Sequence, residues 1–456
     1  MPYLKVTSGK LITVRRNKVK NYSPLRELPQ KKLTADDTIF IFGEVFSLGY
    51  VNGLIKEATS AGSKIIYSTV GRRNENGELQ SLSSEQLEEK NLANQKPLIN
   101  IPLECGFDLT ADSKGITPCD QLKDVKLSKW QEVQLDWPAV EESKAKGEED
   151  FKKRVHAYSL EAKKHVNPKG NVYFAHTMAG GVPRTKIVMP LFNKVFKGYD
   201  KRYLSSKEFW DSEIGKLCEK TFSSVTADTF DILINATKDL RNEVSKNKQN
   251  TYYLAFGYHG NELFINNEYR WQSYAPYLQG FAKLQLENYA KQARANDVNA
   301  TVYNVPEILT NSSSIFLGIE VALYPLIGSL IHESRGNSKV KQIIADSEDL
   351  LKDEYTINDV LDVTNEYFNH PTIKNDWSKF DTWPQHNGPD QMKLMREASQ
   401  KILSMHKDQN KLMTYKLSEV VFDACGMIML NQVSESEQAA HWICHDLVSK
   451  HYLDKL

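Results

Sequence analysis

The sequence predicts an α/β fold: a doubly wound parallel sheet with helices on both faces and an additional helical region at the C-terminus. Three observations carry this. Short β-rich apolar runs recur at Thr38–Gly43, Lys64–Val70, Asn171–Ala175, Tyr252–Phe256 and Asn299–Asn304. Helix-like stretches around 51–61, 139–165, 207–245 and 277–295 alternate with them, the pattern that builds a parallel sheet. After Ile315 the strand pattern stops, and the remainder to Leu456 reads as helices and loops.

Residues 1–35 are basic and irregular and are expected to pack on the body as an extension with a strand or two. Thr38-Ile39-Phe40-Ile41-Phe42 is apolar without alternation, as in a strand buried on both faces, and it ends at Gly43. The next stretch places Val51, Leu54, Ile55 and Ala58 at helical spacing and leads into the second strand. Strand, turn, helix and strand within some thirty residues make a βαβ unit with a right-handed crossover. Residues 71–130 are polar, interrupted by Pro97, Pro102 and Pro118, and read as an insertion. The sheet is expected to resume at Glu132–Asp136. The expected units are thus 1–35, an α/β body over 36–345, and a helical region over 346–456.

Composition narrows the function classes. The chain has 456 residues, with lysine plus arginine and aspartate plus glutamate at 58 each, so no global field recruits nucleic acid or an anionic membrane. The five cysteines (Cys105, Cys119, Cys218, Cys425, Cys444) form no CxxC pair, so no metal site is expected and a reduced, cytoplasmic setting fits. Met1–Lys5 lacks the apolar core of a signal peptide. The most apolar stretch, Ile315–Ile331, carries Glu320 and Pro325 and is short for a bilayer span, which favours a buried helix.

Four places can carry chemistry. The loop Gly43–Tyr50 follows the first strand, where glycines let backbone amides and a helix N-terminus approach a pyrophosphate; Gly43, Ser47, Leu48 and Gly49 are the candidates. Serine replaces the usual central glycine there, and Glu44 adds negative charge, so a plain structural turn is the competing reading. Arg72 and Arg73, beyond the second strand, suit a 2′-phosphate and tilt the cofactor toward NADPH, with NADH possible; a solvated turn is the alternative. Asp136 is placed either against an adenine or as a helix N-cap before Pro138. Finally, Tyr274 and Lys283 stand with eight residues between them before a helical stretch, and a lysine ammonium lowers the pKa of a nearby phenol toward general-acid use.

With these residues in view, the chain resembles a diverged member of the short-chain dehydrogenase superfamily. It is similar to the trans-2-enoyl-CoA reductases and the long type of enoyl-acyl-carrier-protein reductase, which share the wide Tyr–Lys spacing seen at Tyr274 and Lys283. Gly280-Phe281-Ala282-Lys283 resembles the group's approach to its lysine. Ala255–Gly260 resembles the strand end bearing a second tyrosine, Tyr258. Pro306–Ile315 resembles the segment whose threonine and serines touch the cofactor, followed by a helix with Leu323-Tyr324-Pro325-Leu326. Val172–His176, with Pro183-Arg184 beyond, resembles the strand and loop flanking the nicotinamide. The similarity spans about residues 35 to 345; the insertion at 71–130, the extra Asn266–Trp271 and everything from Asp353 onward depart from it.

The resemblance implies a Rossmann-like NAD(P)H-dependent reductase of enoyl thioesters on CoA or acyl carrier protein. Tyr274 and Tyr258 would hydrogen-bond the thioester oxygen and Lys283 would hold the nicotinamide ribose. Ala175, Thr310 and Ser312 would contact the cofactor. A carbonyl (ketoacyl) reductase uses the same groups, and a catalytically inactive nucleotide-binding scaffold is the reading from another class. His176 and His259 end apolar strands and read as pocket or core residues. Met178–Pro183 reads as a flexible covering loop, and Trp377, Trp383 and His386 as a structural loop or lid.

Overall fold

Seven strands form one sheet: β1 (Thr38–Phe42), β2 (Lys64–Thr69), β3 (Leu98–Pro102), β4 (Val172–His176), β5 (Thr251–Gly257), β6 (Asn299–Asn304) and β7 (Ala440–Trp442). Their spatial order is β3-β2-β1-β4-β5-β6-β7, and every neighbouring pair is parallel. This is a computed structural model; it describes residues 22, 24–90, 92, 94–95, 97–272, 280–376 and 386–454, and two short paired strands at Val6–Thr7 and Lys10–Leu11. The strand order reverses between β1 and β4, which opens a crevice at their carboxyl ends.

Every residue of β1, β4 and β5 is buried, which is why these strands read as unbroken apolar runs. Alternate side chains serve opposite layers. Ile39, Ile41, Tyr173, Ala175, Leu254 and Phe256 join a core with the helices Val51–Ser60 and Thr414–Gln432. Phe40, Phe42, Phe174, Tyr253 and Ala255 join the other, with Trp137–Lys163, Thr229–Ala236 and Gly280–Ala295. A third apolar cluster unites Phe107, Leu122, Trp130 and Leu135 with Leu191, Phe192, Phe209 and Trp210. It is built from the segments leaving the carboxyl ends of β3 and β4.

Four expectations change. Glu132–Asp136 is no strand: a 3-10 turn spans Leu127–Glu132, Val133 and Leu135 face the third cluster, and Asp136 caps the following helix. The third strand is Leu98–Pro102, inside the presumed insertion. Its flanking prolines argued against a strand, yet β3 is the edge of the sheet, where a missing N–H costs nothing. The long helix expected at 207–245 is broken into Ser206–Asp211, Glu213–Ser223, a π turn at Ser224–Asp228, Thr229–Ala236 and Lys238–Lys246. Strands also resume after Ile315, because three residues, Ala440–Trp442, add β7; so short a run carries no periodic signal. Ile315–Ile331 divides between two helices with Pro325 opening the second, and among the described residues no helix is long and apolar enough to cross a membrane.

Residues beyond 345 are built into the sheet layer. Helix Thr414–Gln432 crosses helix Val51–Ser60 so closely that a Cβ on Gly53 would fall on the Phe422 carbonyl, and one on Gly426 on the Gly53 backbone. Glycine is required here for approach, not for dihedral freedom. In an exposed helix Gly→Ala gains about 1 kcal/mol. Gly426→Ala is expected instead to cost about 1–3 kcal/mol from overpacking, read as a lower urea midpoint. An unchanged or raised midpoint would contradict this crossing.

Candidate active site

The crevice begins at the tips of β1 and β4. Gly43 has φ +132°, and a side chain there would strike the Thr177 hydroxyl at the start of the β4 loop. Ser68 of β2 fastens this tip: its Oγ accepts from Gly43 N at 3.2 Å and donates to Ile41 O at 2.5 Å. Beyond it, Ser47, Leu48 and Gly49 lie in a bend before helix Val51–Ser60, with Phe46 and Ser47 exposed. Asn52 Nδ2 donates to the Phe46, Ser47 and Gly49 carbonyls, and no acidic residue stands in the helix's first turn. Open space surrounds Gly49. The Glu44 carboxylate, a concern for phosphate binding, pairs with Lys90 at 2.5 Å.

The tips of β5 and β6 carry a buried polar cluster. Helix Gly280–Ala295 presents Lys283 in its first turn, 6% exposed, and its Nζ donates to Phe256 O at 2.5 Å. Burial lowers the ammonium pKa to about 8. One turn on, the buried Glu287 lies 3.2 Å from His259 Nδ1 and accepts 3.0 Å from Asn304 Nδ2. Tyr258, directly after β5, is 6% exposed and hydrogen-bonds Glu307, whose carboxyl pKa is pushed up to about 8 by burial. The loop after β6 is tied back to the β1 loop, since Tyr50 donates to Pro306 O at 2.6 Å and stacks on Phe256.

The expected residues separate into those gathered here and those elsewhere. Gly43, Ser47, Leu48, Gly49, Ala175, Tyr258, Thr310 and Ser312 lie on strand tips or on loops leaving them, at the carboxyl edge of the sheet, and Lys283 reaches that edge from the first turn of its helix. Thr310 is braced by Ser313, whose Oγ accepts from its amide at 2.7 Å, while Ser312 is exposed. Arg73 is committed to Glu104 at 2.7 Å and to Gly77 O; Arg72 is exposed beside an equally exposed Glu89. Asp136 sits off the sheet, its carboxylate accepting from Ala139 N. Tyr274 lies outside the described residues, as do Trp377 and Trp383.

His176 is a core residue. Its Nε2 meets Thr229 Oγ1 at 2.8 Å, and burial, with Lys283 nearby, lowers its pKa to about 3, so it is neutral. His386 contacts Ser206. The Asn266–Trp271 extra is the turn and second strand of a hairpin, Asn261–Ile265 with Glu268–Gln272, whose turn residues Asn266 and Asn267 both have positive φ. Arg184 grips Asp108 through Nε and Nη2 at 3.0 and 2.8 Å, tying the β4 loop to the segment after β3. Glu287, Asn304 and Glu307 were missed by sequence reasoning. A carboxylate directly after Pro306, closing an apolar run, was the available signal for Glu307.

The family model described as enoyl-acyl carrier protein reductase FabMG matches residues 21–452. An apo structure of FabMG, described as a novel type of enoyl-acyl carrier protein reductase, is 37% identical with a TM-score of 0.91, covering 96% of this chain and 100% of that one. An NADH-bound structure of FabMG is 32% identical with a TM-score of 0.75, covering 95% of this chain and 99% of that one. Comparison with curated proteins gives no match.

The lowered Lys283 pKa has a thermodynamic signature. Between about 8 and the unfolded value near 10.4, the unfolded chain holds the proton more tightly, so this group's contribution to stability rises with pH. Wild type is therefore expected to gain about 3 kcal/mol on Lys283→Met between pH 7 and 10.5, measured by urea unfolding of both. A pH-independent difference would contradict the buried ammonium.

Proposed function

Because the chain belongs to the enoyl-acyl carrier protein reductase FabMG family, we propose that it reduces the carbon–carbon double bond of an enoyl thioester on acyl carrier protein, using NADH. As an enzyme it is an oxidoreductase of the enoyl-reductase kind. The observation that carries the site assignment is Lys283: a buried ammonium at the crevice, bonded to one carbonyl and with no carboxylate partner among the described residues.

The residues present fit a dinucleotide. The side-chain-free cradle at Gly43, the open Gly49 and the helix N-terminus behind them would hold the pyrophosphate. Lys283 retains donors for the nicotinamide ribose, and Ala175, Thr310 and Ser312 border the same crevice. When bound, the reduced nicotinamide supplies the hydride taken up at the β-carbon. Tyr258 donates its phenolic hydrogen to the thioester oxygen as negative charge develops there, the role of a preorganised oxyanion donor. Tyr274 is assigned the second such donation. The positive charge of Lys283 lowers the cost of transient phenolate character in either tyrosine. The third apolar cluster, over the carboxyl ends of β3 and β4, shields this charge from water, which strengthens each of these hydrogen bonds.

NADH is favoured because a FabMG structure is NADH-bound and because Arg73 is committed to Glu104. NADPH remains a second reading on one observation, the exposed Arg72 beyond β2. Fluorescence titration with NADH and NADPH, followed by absorbance loss on adding crotonyl-acyl carrier protein, tests both points. Saturable NADH binding and turnover are expected, with kcat/KM higher for NADH, and Arg72→Glu widening that preference. Tyr258→Phe is expected to lower kcat by about 10²–10³ without weakening NADH binding. Absence of NADH binding, or full turnover in Tyr258→Phe, would overturn the assignment.

A further inference from the structure

Behind Tyr258 lies a small enclosed cavity of about 20 Å³, roofed by the Asn261–Gln272 hairpin and floored by helices from the C-terminal third of the chain. Three polar atoms of its lining residues have no hydrogen-bond partner among the described residues: Glu307 Oε1, Asn261 Oδ1 and Tyr367 OH. Glu307 as a residue is half-buried, but Oε1 is closed off from solvent. The space exceeds the roughly 10–15 Å³ that one water needs, and two to four polar partners are what holds such a water. The volume meets the first requirement, and the lining residues supply three unpaired polar atoms toward the second. Tyr258 lines the same cavity, and its hydroxyl hydrogen-bonds the Glu307 carboxyl.

We propose that Glu307 is the proton store of the reaction, passing its proton to Tyr258 along their hydrogen bond and recovering one through a water held in the cavity. This rests on the reductase reading above. The balance is simple. Hydride addition to the β-carbon leaves an enolate; the Tyr258 O–H bond breaks and its proton goes to the substrate. The Glu307 O–H bond then breaks to restore the phenol, leaving a carboxylate that takes a proton from the cavity water and, through it, from solvent. Glu307 thus acts through Tyr258 and does not touch the substrate.

The surroundings keep the acid protonated at neutral pH. The hairpin faces the cavity with Asn261 and Gln272, helix Ile319–Leu323 with Ala322, and helix Pro389–Met405 with Met395, none of them charged. Helix Ile357–Asn369 adds Tyr367, itself pushed well above the usual phenol range by burial. Among the described residues no cation faces Glu307, so burial dominates and its pKa rises to about 8. The acid form, and with it the rate, is therefore lost as pH rises through that value.

The test pairs spectroscopy with kinetics. An infrared difference spectrum of wild type minus Glu307→Gln is expected to show a protonated carboxyl at pH 7 that disappears as pH passes about 8. In crotonyl-acyl carrier protein turnover, Glu307→Gln is expected to lose tenfold or more in kcat, within the range of general-acid effects. Its alkaline limb should become shallower, because only Lys283, with its pKa also at about 8, still titrates there, while NADH fluorescence titration is unchanged. Glu307→Asp, which restores an acid, is expected to regain the steeper limb. An ionised carboxylate at pH 7, or wild-type kcat and pH profile in Glu307→Gln, overturns the inference while leaving the reductase reading intact. A wild type that binds NADH but consumes none with the enoyl substrate overturns the reductase reading, and this inference with it.

Discussion

The burial of the Lys283 ammonium at the rim of the sheet is the constraint around which the active region is arranged. Removing an ammonium from water is costly, and a single carbonyl, Phe256 O, answers it directly. That position demands one register for helix Gly280–Ala295. Its first two turns must face the strand tips with polar groups, Lys283 and Glu287, while Leu286, Ala290 and Ala293 cover the sheet below. The same helix is therefore polar where the sheet ends and apolar where the sheet needs covering. His259 and Asn304 complete the arrangement by engaging Glu287 rather than the lysine, which leaves the ammonium without a neutralising partner among the described residues.

Charges that would compete in this region are disposed of locally. Glu44 is matched by Lys90, and Arg184 by Asp108. His176 beside Lys283 is held neutral. The buried group Glu262, Cys444 and Asp446 has a metal-like arrangement, but Arg26 occupies it, reaching Glu262 at 2.6 Å and Asp446 at 3.2 Å. That pairing anchors the N-terminal segment against the end of the chain, where Leu25 N also bonds Trp442 O. Residues 24–26 thus meet the C-terminal segment at β7, and the glycine crossing of helices 51–60 and 414–432 fixes the loop-bearing helix from behind.

Much of this was legible in the sequence, for definite reasons. Strands β1, β4, β5 and most of β6 are buried on both faces, so their apolar runs were visible without alternation, and the half-buried β2 showed as the apolar, β-rich run Ile65-Ile66-Tyr67. The Lys283 position followed from its distance to a tyrosine and from the resemblance around it. What escaped notice had no local signal of its own. β3 was hidden by Pro97 and Pro102, which only an edge position permits, and β7 is three residues long. Val133 and Leu135 looked like strand residues because a third apolar cluster, not the sheet, claims them. Glu307 is invisible as chemistry until the fold sets Tyr258 beside it and a cavity behind it.

The central claim is that the crevice between these strand tips delivers hydride to the β-carbon of an enoyl thioester. Transfer from NADH carrying deuterium at the nicotinamide C4, with crotonyl-acyl carrier protein as acceptor and NMR analysis of the released acyl chain, tests it most directly. The account predicts a saturated acyl product with deuterium at the β-carbon and a solvent-derived proton at the α-carbon. Deuterium at a carbonyl-derived carbon of a ketoacyl acceptor with none from the enoyl substrate, or solvent hydrogen at the β-carbon, would contradict it.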